Sequence, residues 1–196
     1  EVVNANRNEV IFTSGGTESD NLAIKGIFWQ RHNENAAKKV IISSAAEHHA
    51  VIDPIEWLVK NQGAEVIWVK HDERGVIDLE NLKSVLAERG DEVALISIMW
   101  ANNEIGVVNP IAEIVQLAKP YGIPVHSDAV AALGHTPVDF AAAGLSAMSI
   151  TAHKLGGPVG VGALLVARSA KLVSLFHGGG QERGFRSGTM TAAAAK

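Results

Sequence analysis

The sequence predicts an α/β fold: a mostly parallel sheet with helices on both faces and one antiparallel strand. Three observations carry that prediction. Short apolar, β-rich runs alternate with longer helical patterns, which implies βαβ crossovers. Val93-Ala94-Leu95-Ile96-Ser97-Ile98-Met99 hardly alternates, as a strand covered on both faces requires. Only ten residues separate the last two candidate strands, and a parallel crossover generally needs a dozen or more.

In chain order, Glu9–Thr13 reads as a strand and Glu18–His32 as the helix that follows it. Strand Val40–Ser43 precedes helix Ile52–Gln62, strand Glu65–Val69 precedes helix Leu79–Glu88, and strand Val93–Met99 precedes helix Ile111–Tyr121. The short strand Pro124–Ser127 closes on Asp128, and a helical turn is expected near Phe140–Ala143. Ala147–Thr151 and Gly162–Val166 are the last two strands. Leu155-Gly156-Gly157-Pro158-Val159-Gly160 between them is no helix, so Gly162–Val166 should run antiparallel to Ala147–Thr151 if the two pair. Nine of the 19 glycines fall between Gly156 and Gly188, a stretch expected to be loop-rich. No repeat or linker appears, and one α/β domain is the simplest account.

Composition narrows the function. The chain has 196 residues, 47% apolar and 19% charged, enough for a large buried core. A net charge of −4 gives no electrostatic reason to expect nucleic acid. With no cysteine there is no disulfide framework, no zinc–thiolate or iron–sulfur centre and no cysteine nucleophile on this chain. No apolar run approaches the roughly 18 residues of a membrane span. The opening Glu1-Val2-Val3-Asn4 resembles neither a signal peptide nor a start, and Ala192 to Lys196 look like a helix beginning. Both ends are expected to be cuts through a longer protein.

Ligands in open α/β sheets bind beyond the carboxyl ends of the strands, and five strand ends here deliver polar groups. Ser14-Gly15-Gly16-Thr17-Glu18-Ser19-Asp20-Asn21 reads as an anion cradle, with two glycines for a tight turn and Thr17 and Asp20 forming a capping box. Helix-start N–H groups and the helix dipole favour a phosphate there; a capped helix with no ligand is the other reading. His48, after the second strand, can stack on an aromatic ring or move protons, and Asn103 can donate to a phenolic oxygen. Asp128 needs a cationic or hydrogen-bonding partner if buried, for which a pyridinium nitrogen would serve; it could equally cap the next segment. Lys154 follows an apolar strand and precedes a Gly-rich turn, an enclosed position in which a desolvated amine becomes a Schiff-base nucleophile, or simply a surface lysine. His153 beside it could bind phosphate. Metal-ligand spacings are poor, since only His48 and His49 are adjacent and no H-x-x-x-H occurs. The P-loop, G-x-S-x-G and G-x-G-x-x-G patterns are absent.

Taken in order, Thr13-Ser14-Gly15-Gly16-Thr17-Glu18-Ser19-Asp20-Asn21, Glu47-His48, Asn102-Asn103-Glu104-Ile105-Gly106, His126-Ser127-Asp128-Ala129, Ala152-His153-Lys154 and Gly178-Gly179-Gly180-Gln181-Glu182-Arg183-Gly184 resemble the cysteine desulfurases of iron–sulfur cluster assembly, within the class V aminotransferase group. The resemblance runs from about Glu9 to Thr189. It implies a pyridoxal 5'-phosphate enzyme of aspartate-aminotransferase-like fold, with residues 1–196 as its large domain. By position, Lys154 resembles the Schiff-base lysine, Asp128 the pyridine-nitrogen partner and His48 the ring-stacking histidine; His48 and Lys154 would also transfer protons. Asn103 resembles a contact on the cofactor hydroxyl side. Gly16, Thr17, Thr151 and His153 resemble phosphate ligands, and Thr189 resembles a threonine reaching the phosphate of a partner subunit. The implied reaction takes L-cysteine to L-alanine and leaves sulfur on an enzyme cysteine. A cytoplasmic homodimer and a sulfur-acceptor or iron–sulfur scaffold partner are further implications.

Two departures stand out. Ala131 occupies the position where the family usually has a cofactor-bonding glutamine. The small C-terminal domain that carries the family's cysteine and a substrate-binding arginine is expected to be absent. Another class V lyase or aminotransferase, such as a selenocysteine lyase, and a catalytically silent fragment are the competing readings.

Overall fold

A computed structural model describes residues 2–191, so the helix expected at 192–196 lies outside the described residues. Seven strands form one sheet: β1 (Val10–Thr13), β2 (Val40–Ser44), β3 (Glu65–Val69), β4 (Val93–Ser97), β5 (Val125–Asp128), β6 (Ala147–Thr151) and β7 (Gly162–Val166). The helices are α1 (Gly16–Glu34), α2 (His49–Gln62), α3 (Leu79–Arg89), α4 (Ile111–Ala118) and the single turn α5 (Phe140–Ala143). The spatial order is β1-β7-β6-β5-β4-β2-β3. Only β7 runs against its neighbours, pairing antiparallel with β6 and with β1, as the ten-residue connection requires.

Two apolar cores sandwich the sheet. On one face Leu22, Ile24 and Ile27 of α1 and Val51, Ile55 and Leu58 of α2 pack on Ile11, Ile41 and Leu95. On the other, Leu82 and Leu86 of α3, Ile111 and Ile114 of α4 and Phe140 of α5 pack on Val40, Ile42, Ile96 and Met148. Alternate residues of β2 thus serve opposite faces, and all five are buried. That double burial is why its sequence is apolar without interruption before Ser43.

Several boundaries differ from the sequence reading, each for a local reason. β1 starts one residue late because Arg7–Glu9 forms a 3-10 turn, with the Glu9 carboxylate accepting from Asn6 N–H at 2.8 Å. β4 stops at Ser97, yet the N–H groups of Ile98 and Trp100 still bond carbonyls of His126 and Asp128. The apolar run therefore keeps strand-like pairing past the end of the regular ladder. α2 begins at His49, three residues before expectation, because the imidazole Nδ1 of His48 accepts from Ala50 N–H at 3.0 Å and caps it. α4 ends at Ala118, and Pro120 turns the rest into a 3-10 segment, Lys119–Tyr121.

β1 is an edge strand, and the Gly-rich segment after β7 covers it. Glu182 Oε2 accepts from Phe12 N–H at 2.8 Å, and Arg183 donates to Val10 O at 3.0 Å. Both residues sit in the left-handed region, at φ 45° and 58°, a strained pair retained by these bonds to the edge.

Candidate active site

The carboxyl ends of the parallel strands meet at one small cavity of about 240 Å³. Gly16, Thr17 and Asp20 enter from α1, His48 and Ala50 from the start of α2, Met99 and Asn103 from the segment after β4, Asp128, Val130 and Ala131 from β5 onward, and His153 and Lys154 from the turn after β6. The sequence-predicted residues Gly16, Thr17, His48, Asn103, Asp128, His153 and Lys154 are thereby brought together. Thr151 lies just behind, buried, with its hydroxyl 3.0 Å from His153 Nδ1. Thr189 does not line this cavity; it borders a separate shallow hollow with Phe176, Gly179 and Arg186. A larger, more open hollow of about 550 Å³ lies at the amino ends of the strands, among Arg31, Lys119, Pro124 and Lys171, away from these side chains.

The cradle is built differently from the expected capping box. Gly15, not Thr17, is the N-cap, at φ +154°, a backbone conformation that side chains disfavour. Asp20 does not reach back to the helix start. Its place is taken by Glu18, whose carboxylate accepts from Ser14 N–H at 2.8 Å and is held by Arg186 at 2.6 Å. Burial pushes the Glu18 pKa up, but the bonds from Arg186 and Ser14 outweigh it and hold it low. The first N–H groups of a helix have no internal acceptor, and here those of Gly16 and Thr17 stand at the cavity wall. Gly16 has no room for a side chain: a Cβ would lie 2.8 Å from Val130 Cγ2.

Asp128 ends β5 and is 5% exposed. Its Oδ1 accepts from Val130 N–H at 2.8 Å, so it does cap the next segment as well as face the cavity. No basic side chain among the described residues pairs with it. Burial raises its pKa, against the Val130 bond and the nearby His48 ring. Because His48 Nδ1 accepts a backbone N–H, the neutral ring carries its proton on Nε2. Lys154 is exposed, so of the two readings of its position the enclosed one is corrected and the surface one holds: the glycines that follow it bring no side chain to cover it.

Sequence reasoning missed the acids beneath the cavity. Asp20 is 1% exposed and Glu47 6%. Glu47 Oε1 accepts from Met99 N–H at 2.8 Å, its Oε2 is unpartnered, and burial raises its pKa well above the usual range. His126 bridges the Ser97 and Ser149 hydroxyls at 2.9 and 3.0 Å. The spacing of Asp20 from Gly16, Ala23, Ile24 and Ile27 already put a carboxyl on the buried face of α1. That was the available signal. Among the described residues no group of three or more His, Asp or Glu is placed to hold a metal, and no helix is long and apolar enough to cross a membrane.

The start of α1, the buried carboxylate of Asp128 and the Lys154 amine thus share one cavity at the carboxyl edge of a doubly covered sheet. The chain belongs to the aminotransferase class-V family, whose model matches residues 1–195. It is 52% identical over 191 residues to an IscS-like cysteine desulfurase of Mycobacterium tuberculosis strain H37Rv, covering 97% of this chain and 48% of that protein. Among solved structures it resembles a NifS-like protein, at a TM-score of 0.91 and 35% identity over 98% of this chain and 52% of the other. SspA in complex with cysteine is similar at a TM-score of 0.88 and 35% identity, covering 98% and 54%. The chain spans about half the length of the curated relatives it matches.

Proposed function

We propose that this chain is the cofactor-binding large domain of a cysteine desulfurase, and that its cavity holds pyridoxal 5'-phosphate. The observation that carries the reading is the buried, cation-free carboxylate of Asp128 facing the same 240 Å³ cavity as Lys154 and the α1 cradle. When bound, the cofactor supplies a cationic ring that accepts electrons from a substrate carbanion.

The residues present fit such a group. Asp128 balances a ring-nitrogen proton, the role for which its burial without a cation suits it. The His48 ring, pinned through Nδ1 by Ala50 N–H, offers a face for stacking and an Nε2 proton at the cavity. Gly16 and Thr17 N–H groups, with Thr151 and His153, hold the phosphate; the α1 dipole favours its charge. Asn103 contacts the ring hydroxyl side. Lys154 is the covalent anchor, and with His48 it moves protons at the substrate carbon. Thr189 serves the phosphate of a second copy in a cytoplasmic homodimer. L-Cysteine is the substrate, consistent with the cysteine-bound structural relative. The sulfur-accepting thiol comes from outside these 196 residues, which contain no cysteine, and the sulfur passes on to an acceptor or iron–sulfur scaffold protein.

The purified chain incubated with pyridoxal 5'-phosphate is expected to gain a visible absorption band. Borohydride should then fix the cofactor on Lys154, read by peptide mass, and Lys154→Ala should lose both signals. A folded chain with no band at saturating cofactor overturns the reading. L-Cysteine added to the loaded chain should release no alanine, because no thiol on it accepts the sulfur; sustained alanine release from the unaltered chain would contradict the assignment of the thiol elsewhere.

A further inference from the structure

Two buried acids, Asp20 and Glu47, have no task in the proposed function, and Asp20 is the one that lines the cavity. Asp20 sits one turn after Gly16, on the face of α1 that packs into the sheet, and it lines the cavity beside Asp128. It is 1% exposed, and neither carboxyl oxygen makes a well-formed hydrogen bond; the nearby Ser149 hydroxyl is engaged with His126 Nε2. The groups around it are known. β5 presents Asp128 and His126, with His126 Nε2 3.6 Å from Asp20 Oδ1. Glu47 approaches from the segment before α2, and Ser149 from β6. His48 and Lys154 line the same cavity.

Burial works against His126 as the missing cation. Its ring is wholly buried between two serine hydroxyls, and burial holds its pKa down to about 3. An ionised carboxylate without a donor or a cation is far costlier to bury than a neutral acid. Burial first, then the charges of Asp128 and Glu47, drive the Asp20 pKa well up, with only Ser149 opposing.

We propose that Asp20 is a neutral carboxylic acid at neutral pH and a positioning residue for Asp128: it holds the one proton of a two-acid pair, so that Asp128 alone offers negative charge to a cationic ring nitrogen. The protonation of Asp20 stands on burial and geometry; its service to Asp128 rests on the reading of the cavity as a cofactor site.

Infrared difference spectra at pH 7 test the first half. The chain minus Asp20→Asn should show the carbonyl stretch of a protonated carboxylic acid. A carboxylate band in its place overturns the proposal. If Asp20→Asn does not fold, a pH titration of the chain labelled with 13C-aspartate gives the same reading. Stability gives a second readout. A carboxyl raised in the folded state costs stability as pH rises from its unfolded value near 4 towards its folded one. Asp20→Asn should therefore gain on the parent with pH, by up to about tenfold in the folded-to-unfolded ratio per pH unit. A constant difference across pH 4 to 8 refutes the claim. For the second half, the bound-cofactor absorption of the parent should show an alkaline step as Asp20 ionises, and Asp20→Asn should lack it. The same step in both proteins overturns the positioning role. No cofactor band in either overturns the cofactor reading, while the infrared result still decides the state of Asp20.

Discussion

Replacing Gly162 by alanine tests how closely the last strand runs beneath the anion cradle. Gly162 opens β7 and pairs with Thr13 on one side and Thr151 on the other. A Cβ there would lie 2.7 Å from Gly15 Cα, 2.8 Å from Gly15 C and 2.8 Å from Ile150 O. All three are backbone atoms, so no side chain can swing aside; either β7 or the Ser14–Gly16 turn must move. Overpacking of this kind costs about 1–3 kcal/mol, and the rigidity of the obstacles puts Gly162→Ala near the upper end, at about 3 kcal/mol. For a domain of this length that lowers the melting temperature by roughly 6–12 °C. Gly63→Ala is the control. Gly63, unlike Gly162, has a positive φ, 69°, and nothing lies within 4 Å of its Cβ position, so only the left-handed strain of about 1–2 kcal/mol applies. Thermal and urea unfolding of both variants, with pyridoxal 5'-phosphate titration of any that fold, make the comparison. Gly162→Ala should lose both stability and cofactor affinity, Gly63→Ala stability alone. If Gly162→Ala melts with the parent, the close approach of β7 to the cradle is not a constraint and the reasoning fails.

Three further outcomes are expected. Glu18→Gln breaks a pair whose side chains are only 10% and 14% exposed, and should cost about 1–2 kcal/mol at pH 7. Glu18 has a lowered pKa, so its contribution is present above the ordinary carboxylate range and fades as pH falls through the folded value; the variant's deficit should shrink in acid, and a deficit unchanged at low pH would count against it. Glu47→Gln keeps an acceptor for Met99 N–H and removes an acid whose pKa is raised, so the variant should gain on the parent as pH rises from 4 to 8; a relative loss in melting temperature over that range would contradict the assignment. Ala131→Gln puts an amide at the cavity wall and should tighten cofactor binding by one hydrogen bond, about 0.5–1.5 kcal/mol. An unchanged dissociation constant would show that position 131 does not face the ring.

The sheet was legible wherever burial left a continuous or bounded apolar run. β3, β6 and β7 fall where the residues placed them, and the antiparallel sense of β7 followed from loop length alone. Helix starts were less legible because the caps are unusual. α1 begins on a glycine whose work is done by Glu18 from inside the helix, and α2 on a histidine. The strand-end rule located the cavity, since it depends only on topology and chain direction. What it could not supply was depth. Lys154, which the sequence left open between an enclosed amine and a surface lysine, is exposed, whereas Asp20, read as part of a capping box, lies at the bottom. Exposure is decided by what other segments bring alongside, and for Asp20 those segments are β5 and β6, over a hundred residues further along.

The position of β7 has a temporal consequence. Among the described residues β1 pairs with the sheet only through β7, so the turn proposed to bind an anion is not fixed to the sheet until about residue 166 has been made. Contacts this distant in sequence form late, after the loop-closure entropy has been overcome. A ribosome-bound chain thus carries the cradle's residues from the outset without presenting the cradle. Capture of an anionic ligand at α1 would then report that β1 has joined the sheet through β7, so that binding reads out completed folding.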